Sequence, residues 1–264
     1  MKIGITAPIY IKNDEHYKYL NLTTKSFYSK DHDIVFIPVE NYIADQYKPI
    51  AYSFVSEPDE TYIINGREPQ SVAGGWNTGI RKAQEVGCDY VLVINADIVF
   101  KSNMIDRLVE FAKTHPEAVM WTASEYADLG TLEECTEDEN FNEHPHFSCF
   151  MIKPDLLDKV GEFDENIKPS YTEDNDFAAR MALGNQKAYV YGGARFFHFG
   201  SRTIKSDTEL WEKNKITFAI NQQYFLDKWG HPPVNDVEKM REVYFKTPFN
   251  QPELPLSYVG GRPK

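Results

Sequence analysis

Residues 89–100 read Asp-Tyr-Val-Leu-Val-Ile-Asn-Ala-Asp-Ile-Val-Phe, and this run constrains the fold more than any other part of the chain. Five consecutive β-branched or large apolar residues, too few for a buried helix, describe a strand covered on both faces. Such strands belong to parallel sheets with helices on either side. The flanking segments agree. Strand-like stretches at 2–10, 33–41, 61–67 and 90–100 alternate with helical patterns at 14–28, 71–87 and 102–116, as expected of βαβ units. The fold class expected is therefore α/β, with a mostly parallel central sheet flanked by helices.

Past residue 118 the pattern changes. A short strand near 118–123 is followed, between Glu125 and Glu143, by eight acidic residues and no Lys or Arg, which reads as a solvated loop. A strand at 146–154 precedes a helix over 169–184, for which Ser170 and Glu173 fit a capping box and Gly184 a C-terminal stop. After an extended run at 187–203 comes a long helix over 206–230. Its expected box is Ser206 with Glu209, its stop is Gly230, and Trp211, Phe218 and Phe225 mark the face expected to pack on the body. One domain over residues 1–230 is expected, with 231–264 as an extension that packs on it or arches over it.

Bulk properties exclude several classes. At 42% hydrophobic and 26% charged the chain is globular, and its longest apolar runs are far short of the ~20 residues needed to span a membrane. The opening Met-Lys-Ile-Gly-Ile-Thr lacks the apolar core of a signal peptide. Three scattered cysteines suit reduced thiols. These features predict a cytoplasmic protein that meets a membrane only through an acceptor or a partner. The net charge of −12 argues against nucleic acid as a partner, and any phosphorylated ligand needs a local cation or arginines to offset the field.

Four groups of residues could carry chemistry. Asn95 and Asp97, two apart at the end of a strand, project to one side at the sheet edge where α/β proteins bind ligands. A carboxylate there suits Mg²⁺ or Mn²⁺, or it simply closes a turn. Glu173, Asp174 and Asp176 crowd a helix start. Arg180, four residues on from Asp176, assigns that acid to structure and leaves Glu173 and Asp174 for acid–base work. His198 sits among aromatics between Arg195 and Arg202, as a metal ligand beside two anion-binding groups or as a core histidine beside surface arginines. His144 and His146 are read as loop histidines. Gly74 and Gly75 at a helix entry allow close approach of a ligand, although neither a dinucleotide fingerprint nor a P-loop is present.

In this order and spacing the pieces resemble the family 2 glycosyltransferases of the GT-A fold, over roughly residues 1–205. The resemblance rests on "YIINGREPQSVAGGWNTGIRKA", "VLVINADIVF", "CFMIKPDLLDKVGEFDENI", "YTEDNDFAARMALG" and "ARFFHFGS". It implies an inverting, metal-assisted transfer from a nucleoside-diphosphate sugar to a glycan, lipid-linked or protein-linked acceptor. It implies Asp97 and His198 as ligands of a divalent cation, Mn²⁺ or Mg²⁺, and Asp174 as general base with Glu173 beside it. It implies Pro8, Glu40, Asn77, Asn95, Arg195 and Arg202 on the nucleotide-sugar side. The chain departs from the family pattern at Asn95, where the first acid of the metal motif is missing, and at Glu40, where an Asp is usual. The acidic stretch at 125–143 is expected to border the acceptor. A nucleotidyltransferase of related fold, or a sugar-nucleotide or glycan-binding module that lost turnover, are the alternatives. The absence of a basic glycine-rich loop after the first strand speaks against the former, and the Glu173–Asp174 pair with His198 against the latter.

Overall fold

The computed structural model describes residues 1–55, 61–64, 71–200 and 202–234. In it a nine-stranded sheet runs through the centre. The strands are β1 (Lys2–Ile11), β2 (Asp33–Ile43), β3 (Ile63–Ile64), β4 (Tyr90–Ile94), β5 (Ile98–Phe100), β6 (Ala118–Tyr126), β7 (Phe141–Glu143), β8 (Cys149–Ile152) and β9 (Lys187–His198). Their order is β3-β2-β1-β4-β8-β6-β9-β5, with β7 also on β9. β1 to β4 are mutually parallel, and β8 turns antiparallel between β4 and β6. β9 runs parallel to β6, while β5 and β7 oppose it. The mostly parallel sheet expected of βαβ units is present, and the antiparallel strands enter after residue 94. The expected strand at 61–67 falls partly outside the described residues.

Helices among the described residues are α1 (Asp14–Lys25), α2 (Lys48–Tyr52), α3 (Val72–Glu85), α4 (Met104–Thr114), α5 (Leu156–Val160), α6 (Glu173–Leu183), α7 (Arg202–Lys205) and α8 (Thr208–Trp229). Strand alternation divides the core into two layers. Tyr90, Leu92 and Ile94 pack with α4 residues such as Leu108 and Phe111 on one face. Val91 and Val93 pack with Ile80 of α3 and Phe177 of α6 on the other. β4 is buried at every position, as its composition demands. Fully burying one such side chain contributes about 1.5–3 kcal/mol.

Two glycines set how closely α3 lies on the sheet. A Cβ at Gly75 would come within 2.8 Å of the Pro8 ring, and one at Gly79 would run into the Thr6 side chain. The glycine-marked helix entry therefore serves packing against β1, where the sequence suggested approach of a ligand.

Several local expectations are corrected. The run at 90–100 is not one strand but β4 and β5 separated by a turn at 95–97. Thr23 of α1 holds that turn, its hydroxyl accepting from Ile98 N at 3.2 Å and lying 3.1 Å from Ala96 O. Helix α6 starts at Glu173 after Thr172, a left-handed residue with no side-chain cap, so the Ser170–Glu173 box does not form. Gly184 has an ordinary negative φ, and Asn185 takes the left-handed position. Asp207, not Ser206, caps α8, accepting from Glu209 N and Leu210 N. Gly230 does stop its helix at positive φ, and Gly87 follows the end of α3 in the same conformation.

The buried face of α8 is Asn214, Asn221, Phe225 and Trp229, whereas Phe218 is 39% exposed. Of the aromatic heptad only Phe225 lies on that face, and asparagines take the other heptad positions there. The acidic stretch is not simply solvated. Glu137 pairs with Lys101 and Arg107, Glu139 with Arg107, and Glu133 accepts from Ser102. Cations just before and within α4 draw the loop onto the body.

Candidate active site

The turn at 95–97 and the end of β9 meet at the sheet edge. β5 pairs antiparallel with β9, setting Ile98 opposite His198, so the register itself carries Asp97 to the histidine. Asp97 is 4% exposed. His198 Nε2 lies 3.1 Å from Asp97 Oδ1, and Arg202 N donates to Asp97 Oδ2 at 3.3 Å. The carboxylate that seemed misplaced in an apolar run is thus met by an imidazole and a backbone N–H. Burial disfavours the charged form of His198, but its bond to Asp97 and the charges of Asp97 and Glu125 outweigh that and raise its pKa.

The expected ligands are brought together, and their neighbours only in part. Because a turn replaces the strand, Asn95 and Asp97 no longer share a face by strand alternation. Asn95 is half-buried, its N–H donating to Ser148 O at 3.2 Å. Arg202 stands at the start of α7 with an exposed side chain and contributes its backbone N–H. Arg195 turns to the opposite face of β9 from His198 and donates to Ser124 Oγ at 2.9 Å. The arrangement of two arginines flanking the histidine is therefore not formed. Glu125 faces His198 instead, its Oε2 3.9 Å from Nδ1. Sequence reasoning passed over Glu125 as one acid in a charged run. Its place at the C-terminal end of β6, next to β9, was the available signal.

The second group is at the start of α6. Glu173 is 5% exposed with Oε2 lacking a hydrogen-bond partner. Asp174 is half-buried, and its Oδ1 accepts from Asn175 N at 2.8 Å. Burial raises the pKa of both carboxyls, and the charge of Asp174 pushes Glu173 higher still. Asp176, assigned to structure, makes the expected pair: Arg180 Nε and Nη2 lie 3.1 and 3.0 Å from its Oδ2.

On the nucleotide side, Glu40 lies near the end of β2, where Tyr62 donates its hydroxyl to Oε2 at 2.6 Å. Pro8 lies in β1 under Gly75. Asn77 is buried in α3 and bonded both ways to Phe163, its Oδ1 accepting from N at 2.8 Å and its Nδ2 donating to O at 2.9 Å. Nδ2 also bonds Glu165 Oε1 at 3.1 Å. Its amide ties α3 to the turn after α5.

A hard carboxylate beside an imidazole is a donor set that Mn²⁺ or Mg²⁺ accepts. Among the described residues no cluster of three or more His, Cys, Asp or Glu side chains could hold a metal by itself. Asp97 and His198 fit a cation whose remaining positions are filled by ligand oxygens and water. No described helix is long and apolar enough to cross a membrane.

The sequence profile of the family "Glycosyl transferase family 2" matches residues 8–165, more than half of the chain. A "Galactofuranosyl glycosyltransferase" of Leishmania donovani is 35% identical over 88 residues, covering 33% of this chain and 19% of that protein. The match thus spans about a fifth of that relative's length. Among solved structures, TarS of S. aureus superposes with a TM-score of 0.59 at 13% identity, over 92% of this chain and 42% of its own. GalNAc-T7, solved with UDP, GalNAc and Mn²⁺, gives 0.60 at 10% identity, over 92% and 54%. The mannosyltransferase PcManGT of Pyrobaculum calidifontis, solved with GDP-Man and Mn²⁺, gives 0.59 at 13% identity, over 93% and 70%. The fold is the GT-A fold that these glycosyltransferases share.

Proposed function

Because the chain belongs to glycosyl transferase family 2, we propose that it moves a sugar from a nucleoside-diphosphate sugar to an acceptor hydroxyl, with inversion at the anomeric carbon. The observation that carries the reading is the Asp97–His198 contact at the sheet edge. Asp97 and His198 would hold a divalent cation, which supplies charge neutralisation to the diphosphate as it leaves. This is how a chain of net charge −12 accommodates an anionic donor. Similar proteins solved with UDP or GDP-Man and Mn²⁺ support a nucleotide donor and a divalent metal.

Asp174 is the general base. The acceptor oxygen attacks the anomeric carbon as the bond to the diphosphate oxygen breaks, and Asp174 takes the acceptor's proton. A carboxylate whose pKa is raised by burial binds a proton better than an exposed one, which suits this role. Glu173, whose pKa burial and the charge of Asp174 raise, stands beside it at the same helix start as the second acid–base carboxyl. Glu40 and its Tyr62 partner, with Pro8, Asn95 and Arg202, make up the nucleotide-sugar side, and Asn77 supports it from α3 by holding the turn after α5; Arg202 lies nearest the metal pair through its N–H. Residues 1–230 form the catalytic unit; of the C-terminal extension at 231–264, residues 235–264 lie outside the described residues. The acceptor is a glycan, a lipid-linked or a protein-linked hydroxyl.

The test is a panel of nucleotide sugars incubated with the protein and Mn²⁺, scoring released nucleoside diphosphate with and without chelator. Release from one donor, abolished by chelator and lowered by about 10²–10⁴ in Asp174→Asn, is expected. Donor binding without release in any acceptor mixture would favour the binding-module reading. Release of pyrophosphate would point to nucleotidyl transfer.

A further inference from the structure

The face that α8 turns to the body is built on two asparagines one heptad apart, Asn214 and Asn221, each 3% exposed. Asn221 reaches into the turn that precedes α6. Its Nδ2 lies 3.1 Å from Lys168 O, 3.0 Å from Ser170 O and 3.2 Å from Tyr171 O, and its Oδ1 accepts from Lys168 N at 3.3 Å. Asn214 Oδ1 accepts from Ser170 Oγ at 3.1 Å. One buried amide thus converges on three carbonyls and one N–H of a single turn.

That turn needs an external hold. Tyr171 and Thr172 take φ of 72° and 80°, a left-handed conformation that non-glycine residues rarely adopt. Thr172 makes no side-chain cap; Val72 N holds Pro169 O at 2.9 Å from α3, and Asn221 holds the carbonyls of Lys168 and Ser170 on either side of it. The next two residues are Glu173 and Asp174. Whatever sets the peptides at 168–172 therefore sets the direction of the carboxylates. α8 is anchored independently of the turn, through Phe225 and Trp229 on the alanines of α6 and through Lys228 on Asp164 and Asp176.

We propose that Asn221, supported by Asn214, is a positioning residue for the acid–base carboxylate, the amide of α8 holding the strained turn so that Asp174 meets the acceptor hydroxyl. The inference rests on the reading of Asp174 as base. It gives Asn221 a part in catalysis without touching a reacting atom.

The experiment compares Asn221→Ala and the isosteric Asn221→Asp, which keeps the shape but loses the donors, with Phe225→Leu as a control that loosens α8 without touching the turn. Steady-state kinetics with the donor found by the panel are read beside hydrogen exchange of peptides covering 168–174 and 208–229. Both Asn221 variants are expected to lower kcat at least tenfold with donor KM within twofold. Exchange at 168–174 should quicken at least tenfold while 208–229 stays as protected as in the wild type. Phe225→Leu is expected to lower Tm without lowering kcat. A kcat within twofold of wild type in the Asn221 variants, or a loss no greater than in Phe225→Leu, would overturn the proposal. The two layers separate cleanly. Wild-type turnover in Asp174→Asn overturns the base assignment, and wild-type exchange at 168–174 in Asn221→Ala overturns the brace.

Discussion

Lys228 closes a buried cluster of four charges, and removing it should be one of the costliest single changes outside the apolar core. Its Nζ lies 2.6 Å from Asp164 Oδ2 and 2.6 Å from Asp176 Oδ1, and both carboxylates are fully buried. With Arg180 on Asp176 the cluster is neutral. In Lys228→Met it carries one uncompensated negative charge. The other partners remain: Trp229 Nε1 on Asp176 at 2.9 Å, Tyr224 OH on Asp164 at 2.9 Å and Asn166 on Asp164 at 3.0 Å. They offset part of the desolvation but none of the charge. Breaking a buried pair from one side costs about 3–5 kcal/mol. For a guanidinium m-value of about 4 kcal/mol/M, the midpoint then falls by about 1 M. Adding Asp164→Asn restores neutrality, and the double variant should recover at least about 2 kcal/mol of the loss. The pH dependence has a definite sign. Burial raises the Asp176 pKa, but Lys228 and Arg180 outweigh it and hold the carboxyl below its ordinary 3.8. A depressed carboxyl stabilises the fold above its unfolded value and loses that contribution as pH falls through the folded one. The deficit of Lys228→Met should therefore be full at pH 7 and narrow below about pH 4. A single-variant loss under about 1 kcal/mol, or a double variant that costs the sum of its two singles, would refute the reasoning.

Two further changes test other parts of the structure. Glu173→Gln should raise Tm at neutral pH. The Glu173 pKa is raised, so charging it opposes folding as pH climbs above its ordinary 4.5, and the gain should vanish near pH 4; parallel Tm curves from pH 4 to 8 would contradict this. Gly79→Ala forces a Cβ into Thr6, whose hydroxyl bonds Ile37 O at 2.8 Å, and should cost about 1–3 kcal/mol by denaturant titration with m unchanged.

How much of this was legible beforehand depends on what each residue does. The βαβ half was plain because β4 is apolar at every position, as a strand covered on both faces is, and helical patterns alternate with it. The Asp176–Arg180 pair followed from helical spacing. Asp97 and His198 stood out as polar residues in apolar runs, and the β5–β9 register joins them. What spacing along the chain could not give was the break at 95–97. A hydroxyl from α1, more than seventy residues earlier, holds it, and no local pattern encodes that bond. Arg195 turns away from His198 for a related reason. It is near His198 in sequence, but three residues along a strand is an odd step, which turns a side chain to the other face.

The misreading of α8 exposes the more general difficulty. Periodicity arguments equate the buried face of a helix with its apolar residues, which picks Trp211, Phe218 and Phe225, and of these only Phe225 is buried. The face that packs holds two asparagines because its counterpart is a backbone turn with carbonyls to satisfy, and an apolar side chain there would leave them without partners in a buried setting. A left-handed turn without glycine and a polar stripe on the facing helix are therefore two halves of one solution. Each looks like a defect when read alone. Where a buried helix face carries amides at heptad spacing, the element to look for opposite it is irregular backbone. Here that backbone leads directly into Glu173 and Asp174, which is why the proposed role of Asn221 is to position them.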